Sequence, residues 1–357
     1  MRLQASPIKW IEIDLSAIRS NLKWTLSRLK RETQLMAVVK ADAYGHGAVL
    51  VSREAERAGA SSLGVLNISE ARLLRQAGVH LPIHVMAPVL PSSAEEVSKL
   101  KLSVAVDHLN QLRALNSAAS ASRGIAVHVD LDFGLGRWGI SPRYLDSFLK
   151  EFVRFKKIRL EGLSAHIDYI PGKNAVEAEE KLRAFHGISV RLKRHYPALL
   201  CHAANSSVLM DFPNWQMDVA RIGNLLYGIN AAKSKSAPLK NPWNFKARIL
   251  HIRSVSAGES IGYASEYIAP RKMRVATLLV GYADGLTMEP VERLIRFGSG
   301  LEYWGMLGKT RTPFIGQCGI SHVLIDVTNL SKVKIGDPVS LPVRRTAASA
   351  QISRVYR

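Results

Sequence analysis

The stretch Ala37-Val38-Val39-Lys40-Ala41-Asp42-Ala43-Tyr44-Gly45-His46-Gly47 carries one lysine to the end of an apolar run rich in β-branched residues. A turn with two glycines follows at once. Lysine is poor strand material. Partial burial at such a position lowers an amine's pKa and frees it to attack a carbonyl carbon. Tyr44 lies just past the strand end, where α/β folds hold their ligands. Taken alone, the same residues also fit a solvated loop lysine.

Four further segments carry candidate chemistry. His128-Val129-Asp130-Leu131-Asp132-Phe133-Gly134-Leu135-Gly136-Arg137-Trp138-Gly139 runs from a strand into a glycine-rich turn bearing an arginine. A planar guanidinium there suits an anion, and a surface arginine on a tight loop fits as well. Gly162-Leu163-Ser164-Ala165-His166 ends a strand with a histidine, a position that is often purely structural. Cys201-His202-Ala203-Ala204-Asn205-Ser206-Ser207 offers a hydroxyl and backbone amides to a phosphate, or an ordinary helix cap. Val219-Ala220-Arg221-Ile222-Gly223-Asn224-Leu225-Leu226-Tyr227-Gly228 holds a second strand-borne arginine.

Together, and in order over nearly the whole chain, these segments resemble the alanine racemase family. VVKADAYGHG is similar to its pyridoxal-phosphate lysine segment, and the Arg137 turn to its DTGMGRLG loop. Cys201–Ser207 matches its HxxNS segment, Val219–Gly228 its VRxGxxxYG, and Ile261-Gly262-Tyr263-Ala264-Ser265-Glu266-Tyr267 its GYxxxY. The resemblance implies that Lys40 holds pyridoxal 5'-phosphate and acts as one of two bases. It implies phosphate contacts from Tyr44, Ser206 and the amides of Gly223 and Asn224, with Asn205 in the same segment. Arg221 would face the pyridine nitrogen, braced by His202. A guanidinium gives up no proton there, so the ring stays a weaker electron sink. Arg137 would contact the cofactor's phenolic oxygen and the substrate carboxylate. Ile320 would offer the carboxylate its backbone amide. His166 would orient the second base, Tyr263, which reaches into the partner subunit's site. A homodimer with shared sites follows from that assignment. The implied activity is two-base racemisation of L-alanine to D-alanine, supplying peptidoglycan synthesis.

Some positions depart from the family. Asp130 stands where many members carry a carbamylated lysine, and we expect its carboxylate to hold Arg137 directly. Leu286-Thr287-Met288 replaces Tyr-Pro-Arg, Gly319-Ile320-Ser321 replaces Cys-Met-Asp, and the C-terminus lacks the tyrosine after Ile352-Ser353. The altered entrance leaves racemisation of serine or basic amino acids as an alternative. A fold-related decarboxylase is opposed by Arg221, and a non-catalytic cofactor carrier by the second domain.

The elements that must position these residues are legible as a pattern. Short apolar runs at Met36–Val39, Ser62–Leu66, Ile83–Met86, Ser103–Val106, Ile125–Leu131, Leu160–Leu163, Leu199–His202 and Met217–Ile222 alternate with helix-length segments. Eight such repeats predict an α/β fold, a (β/α)8 barrel of the TIM type, and the family shares it. We expect the barrel over residues 1–232, with a strand at Trp10–Asp14 and a helix after it. A polar linker follows Gly228, and a β-rich domain over 233–357 includes strands at Phe245–Val255, Met273–Val280, His322–Val327 and Pro338–Val343. The net charge of +20 comes from dispersed lysines and arginines. With no nucleic-acid motif, it reads as a solvated basic surface. Cys201 and Cys318 form no metal or disulfide pattern, and no metal site is expected. No signal segment or membrane span is apparent, and the expected location is cytoplasmic.

Overall fold

The computed structural model describes residues 7–230, 232, 236–265, 267–286, 303–343, 345 and 347–357. The chain divides into two compact units: Leu15–Asn241, and Met1–Asp14 together with Pro242–Arg357. Strand β1 (Lys9–Ile13) opens the chain.

The Leu15–Asn241 unit contains eight parallel strands: β2 (Gln34–Val38), β3 (Ser62–Val65), β4 (Ile83–Pro88), β5 (Ser103–Val106), β6 (Ile125–Leu131), β7 (Ile158–Ala165), β8 (Leu200–His202) and β9 (Val219–Ile222). Their order is β8-β7-β6-β5-β4-β3-β2-β9. Backbone bonds from Asp218 to Cys201 (3.0 Å) and from Arg221 to Ala204 (2.9 Å) tie β9 back to β8 and close the ring. β6 is buried along its whole length, as expected of a strand packed on both faces. The helix Leu15–Leu26 turns Ala17, Ile18 and Leu22 inward at helical spacing.

β2 leads straight into an unusual turn. Ala41, Asp42, Ala43 and Tyr44 all have φ between 51° and 56°, a left-handed conformation that costs non-glycine residues roughly 1–2 kcal/mol each. Specific bonds offset the strain. The Glu70 carboxylate accepts from the amides of Ala41 (2.7 Å) and Leu66 (2.8 Å), and Asp42 Oδ1 accepts from the Ala48 amide at 2.8 Å. The tight reversal sends Lys40 and Tyr44 toward the same cavity.

The second unit is built from β10 (Trp243–Val255), β11 (Ser260–Ile261), β12 (Tyr267–Ile268), β13 (Met273–Leu278), β14 (Trp304–Leu307), β15 (Thr310–Ile315), β16 (Val323–Asp326), β17 (Pro338–Leu341) and β18 (Arg354–Tyr356). Long β10 pairs with β1, β13 and β17. Val255, Ile261, Ala269, Met273, Val275 and Ile315 form one of its cores. The division departs from the expected 1–232 and 233–357. β1 pairs with β10, Lys9 opposite Ala247 and Ile13 opposite Trp243, and runs parallel to β18. Glu12 adds ion pairs to Lys246 (2.9 Å) and Arg357 (2.7 Å). The first strand therefore belongs with the last ones, and part of the expected linker lies outside the described residues.

Candidate active site

A cavity of about 240 Å3 lies at the C-terminal ends of the barrel strands. Of the residues singled out from sequence, Lys40, Tyr44, Arg137, His166, His202, Asn205, Ser206, Arg221, Gly223 and Asn224 all line it. The parallel ring explains the convergence. Each residue sits at or just past the end of its strand, and every strand points the same way.

Positive charge dominates the interior. Arg221 is fully buried in β9. It donates through Nη1 to His202 Nδ1 (2.6 Å) and to the His202 carbonyl (2.5 Å), and through Nη2 to the Ala165 carbonyl (2.7 Å). Burial draws its pKa down to about 10, so it stays charged at neutral pH. Burial first, and then Arg137 and Arg221, hold the Lys40 amine below the ordinary lysine range, with Glu70 pulling the other way. His166 is depressed to about 3 by burial and by Arg221, Arg137 and Lys40. It is therefore a neutral imidazole.

Tyr44, Ser206 and Gly223 gather at the other end of the cavity. Gly223 donates its amide to Ser206 Oγ at 3.3 Å. A Cβ on Gly223 would lie 2.6 Å from the Tyr44 hydroxyl, so only glycine lets the phenol approach this backbone. Burial pushes the Tyr44 phenol up to about 12, keeping it a neutral donor. Tyr227 packs its ring, tilted by 32°, against Tyr44 with centroids 4.7 Å apart and is anchored by its hydroxyl to the Val38 carbonyl at 2.8 Å. Asn205 has a more local task. Its Oδ1 caps the helix Ser206–Asp211 by accepting from the Ser207 and Val208 amides, both at 3.0 Å.

Asp130 is buried and accepts a short hydrogen bond from the Ser164 hydroxyl. It makes no direct ion pair with Arg137 among the described residues, contrary to the expectation. The two act on each other only through space. Arg137 lies over the neighbouring Trp138 ring, 3.7 Å from its centroid. The Asp130 carboxylate is engaged by Ser164 instead.

Tyr263 and Ile320 belong to the second unit and are both exposed, at 55% and 57%. Tyr263 begins a short turn, Tyr263–Ser265, with its ring 5.5 Å from that of His322. Ile320 lies on a loop pressed against Gly281, where a Cβ would meet the Ile320 carbonyl oxygen at 2.4 Å. Asp284 is held by Lys9 at 2.7 Å and accepts from the Gly281 amide at 3.1 Å. Of the altered entrance, Met288 lies outside the described residues.

Sequence reasoning missed several residues. Glu70 was signalled only as the last residue of Asn67-Ile68-Ser69-Glu70, a helix-start pattern. Nothing local marked His84, His128 or Trp138 as groups in or behind the cavity wall. No helix among the described residues is long and apolar enough to cross a membrane.

Comparison with known proteins agrees with this geometry. The family profile described as "Alanine racemase, N-terminal domain" matches residues 13–231, and "Alanine racemase, C-terminal domain" matches residues 243–355. An alanine racemase of Syntrophobacter fumaroxidans is 34% identical over 335 residues, 93% of this chain and 87% of the relative. One from Halothermothrix orenii is 32% identical over 93% of this chain and 86% of its own length. Among solved structures, an alanine racemase of Clostridium difficile 630 aligns with a TM-score of 0.90 at 25% identity, covering 99% of this chain and 97% of its own. With both family profiles matched in order and the barrel's lysine, arginines and serine gathered in one cavity, this chain belongs to the alanine racemase family.

Proposed function

We propose that this protein interconverts L- and D-alanine with pyridoxal 5'-phosphate, using Lys40 and Tyr263 as the two bases. The racemase assignment follows from its alanine racemase relatives, and the family depends on this cofactor. One observation carries the site reading: a half-buried Lys40 amine, lowered in pKa, shares a single cavity with a fixed Arg221 and a Tyr44–Ser206–Gly223 cradle.

The residues fit the cofactor. The Tyr44 hydroxyl, Ser206 Oγ and the Gly223 and Asn224 backbone would hold its phosphate, Lys40 Nζ its carbonyl carbon, and Arg221 its pyridine nitrogen. When bound, the group supplies an electron-withdrawing ring that acidifies the Cα–H of an attached amino acid.

The chain's own groups do the rest. Lys40, its amine held below the ordinary lysine range by burial and by Arg137, accepts a proton at one face of Cα. The Tyr263 phenol delivers one at the opposite face, contributed by the partner subunit. Arg221 donates a hydrogen bond without releasing its proton. Arg137, stacked on Trp138, meets the substrate carboxylate, and the backbone amide of Ile320 is assigned to the same group. Asp130 keeps that cationic pocket partly balanced through space. In this reading the protein is a cytoplasmic homodimer, and its product serves peptidoglycan synthesis.

Chiral chromatography of L-alanine, L-serine and L-lysine after incubation with cofactor-loaded protein tests the function. Conversion of alanine alone supports the reading. Comparable rates on serine or lysine assign broader specificity to the Gly319-Ile320-Ser321 and C-terminal changes. No racemisation of any of the three contradicts it.

A further inference from the structure

A second cavity, about 840 Å3, opens at the opposite, N-terminal ends of β4 to β7. The proposed racemisation does not use it. Its wall carries Arg75, His80, Lys99, Lys101, Arg123 and Arg159, against one carboxylate, Glu161. Arg75 is fixed, donating to the carbonyls of Leu100 (3.1 Å), Val79 (2.8 Å) and Leu81 (2.8 Å). It lies close enough to Arg123 for the two charges to disfavour each other. Lys101 and Arg123 make no ion pair among the described residues. Guanidinium and ammonium groups lining one concavity, with Glu161 as the single carboxylate of its wall, form a receptor for a multiply charged anion.

The same cavity is joined to the active site by a chain of hydrogen bonds. Arg221 Nη1 lies 2.6 Å from His202 Nδ1. A guanidinium can only donate, so His202 Nδ1 accepts and its proton is on Nε2. That proton is directed at His128 Nδ1, 2.6 Å away. The His128 proton is then on Nε2, facing Glu161 Oε2 at 3.2 Å. Every link thus points from the guanidinium to the carboxylate. Bonding from His128 lowers the Glu161 carboxyl to about 2 despite burial, and Arg159 reaches its other oxygen at 3.1 Å.

Local sequence builds this path. The β6–β7 register slips between Val127 and His128, whose partners are Leu160 and Gly162, leaving Glu161 as the extra residue. A slip of this kind re-aims a side chain. Gly162 has no Cβ, which would otherwise lie 2.3 Å from His128 Nδ1. His84, His128 and His202 are close enough together to suggest a metal. Both ring nitrogens of His128 and of His202 are already engaged, so the cluster is a relay instead.

We propose that the basal cavity binds a small, multiply charged phosphate compound, and that Glu161, His128 and His202 couple its occupancy to Arg221. An anion there competes for Arg159 and adds negative potential beside Glu161, making that carboxylate a stronger acceptor. Each link of the chain then tightens, because hydrogen-bond chains polarise one another, and Arg221 is drawn toward His202. The binding half stands alone; the coupling half rests on the reading of Arg221 as the pyridine-nitrogen partner.

The test is calorimetric titration of pyrophosphate into the cofactor-loaded protein, with the cofactor absorption band recorded in parallel. We expect saturable binding that weakens at least about 10-fold in a Lys99→Ser/Arg123→Ser double variant, which alters only exposed side chains. Wild type should show a shifted absorption band on saturation. Glu161→Gln should still bind but lose the shift. ADP titrated beside pyrophosphate separates a nucleotide from an inorganic ligand, and binding of either at this cavity supports the site. Absent binding, or binding indifferent to the double variant, overturns the site. An undiminished shift in Glu161→Gln overturns the coupling. The cavity titration reads out even if the protein retains no cofactor, so the two readings fail separately.

Discussion

The two units present their proposed bases in opposite ways. In the barrel, Lys40 sits in a cavity walled by two arginines and neutral histidines, on a left-handed turn held by Glu70 and Asp42. In the second unit, Tyr263 and Ile320 stand exposed on loops, with one ring contact for the tyrosine. The contrast shows where each chemical property originates. The lysine's depressed pKa is made within its own unit by burial and neighbouring charge. The tyrosine's environment must come from elsewhere, which agrees with our proposal that it works in a partner's site.

The largest effect expected from breaking this contrast is at Lys40. Lys40→Ala should lose covalent cofactor attachment and lower racemisation by at least about 10⁴-fold, the upper range for a positioned base. Borohydride reduction followed by mass spectrometry, and chiral chromatography, check the two outcomes. A cofactor still attached to another residue would displace Lys40 from the centre of the account.

Next comes the support beneath it. Glu70→Ala removes the acceptor of two amides and should cost about 1–3 kcal/mol. For a unit of this size that is a fall in Tm of about 2–4 °C per kcal/mol. A calorimetric scan with unchanged Tm and cofactor retention would mean that the left-handed turn holds itself.

The smallest effect concerns Asp130, whose carboxyl is raised above 3.8, chiefly by burial. For an acid raised on folding, the charged form is the disfavoured one. The penalty is absent below the unfolded value and grows as pH rises through the folded one. Asp130→Asn should therefore melt at the same or a higher temperature at neutral pH, with the gain shrinking toward acid. The KM for alanine should rise as Arg137 loses its distant counter-charge. A lower Tm at neutral pH would show that the Ser164 bond outweighs burial.

Much of the fold was legible because barrel strands are short, apolar and evenly spaced, and all eight expected runs overlap β2 to β9. The termini were not. β1 looks like the first strand of a barrel, and its pairings with β10 and β18, both more than two hundred residues away, assign it elsewhere. β14 is a run of only four residues, β15 precedes its apolar residues with Thr310, Arg311 and Thr312, and β18 has three residues, so none stood out. Site residues at strand ends were legible because motif order and barrel geometry agree. Glu161 was hidden for a physical reason: a one-residue register slip against β6 turns it toward His128, and no local pattern announces a slip. The Asp130 expectation missed Ser164, the hydroxyl on the neighbouring strand that engages the carboxylate, since a position read only by its charge says nothing of its cross-strand partner.

The most direct test of the two-base claim uses cofactor-loaded Tyr263→Phe protein and D-alanine in D2O. The account predicts that Lys40 still exchanges the α-hydrogen of D-alanine for deuterium, seen by mass spectrometry. Conversion to L-alanine should fall by about 10²–10⁴-fold. Racemisation at the wild-type rate would contradict the account and require a different second base.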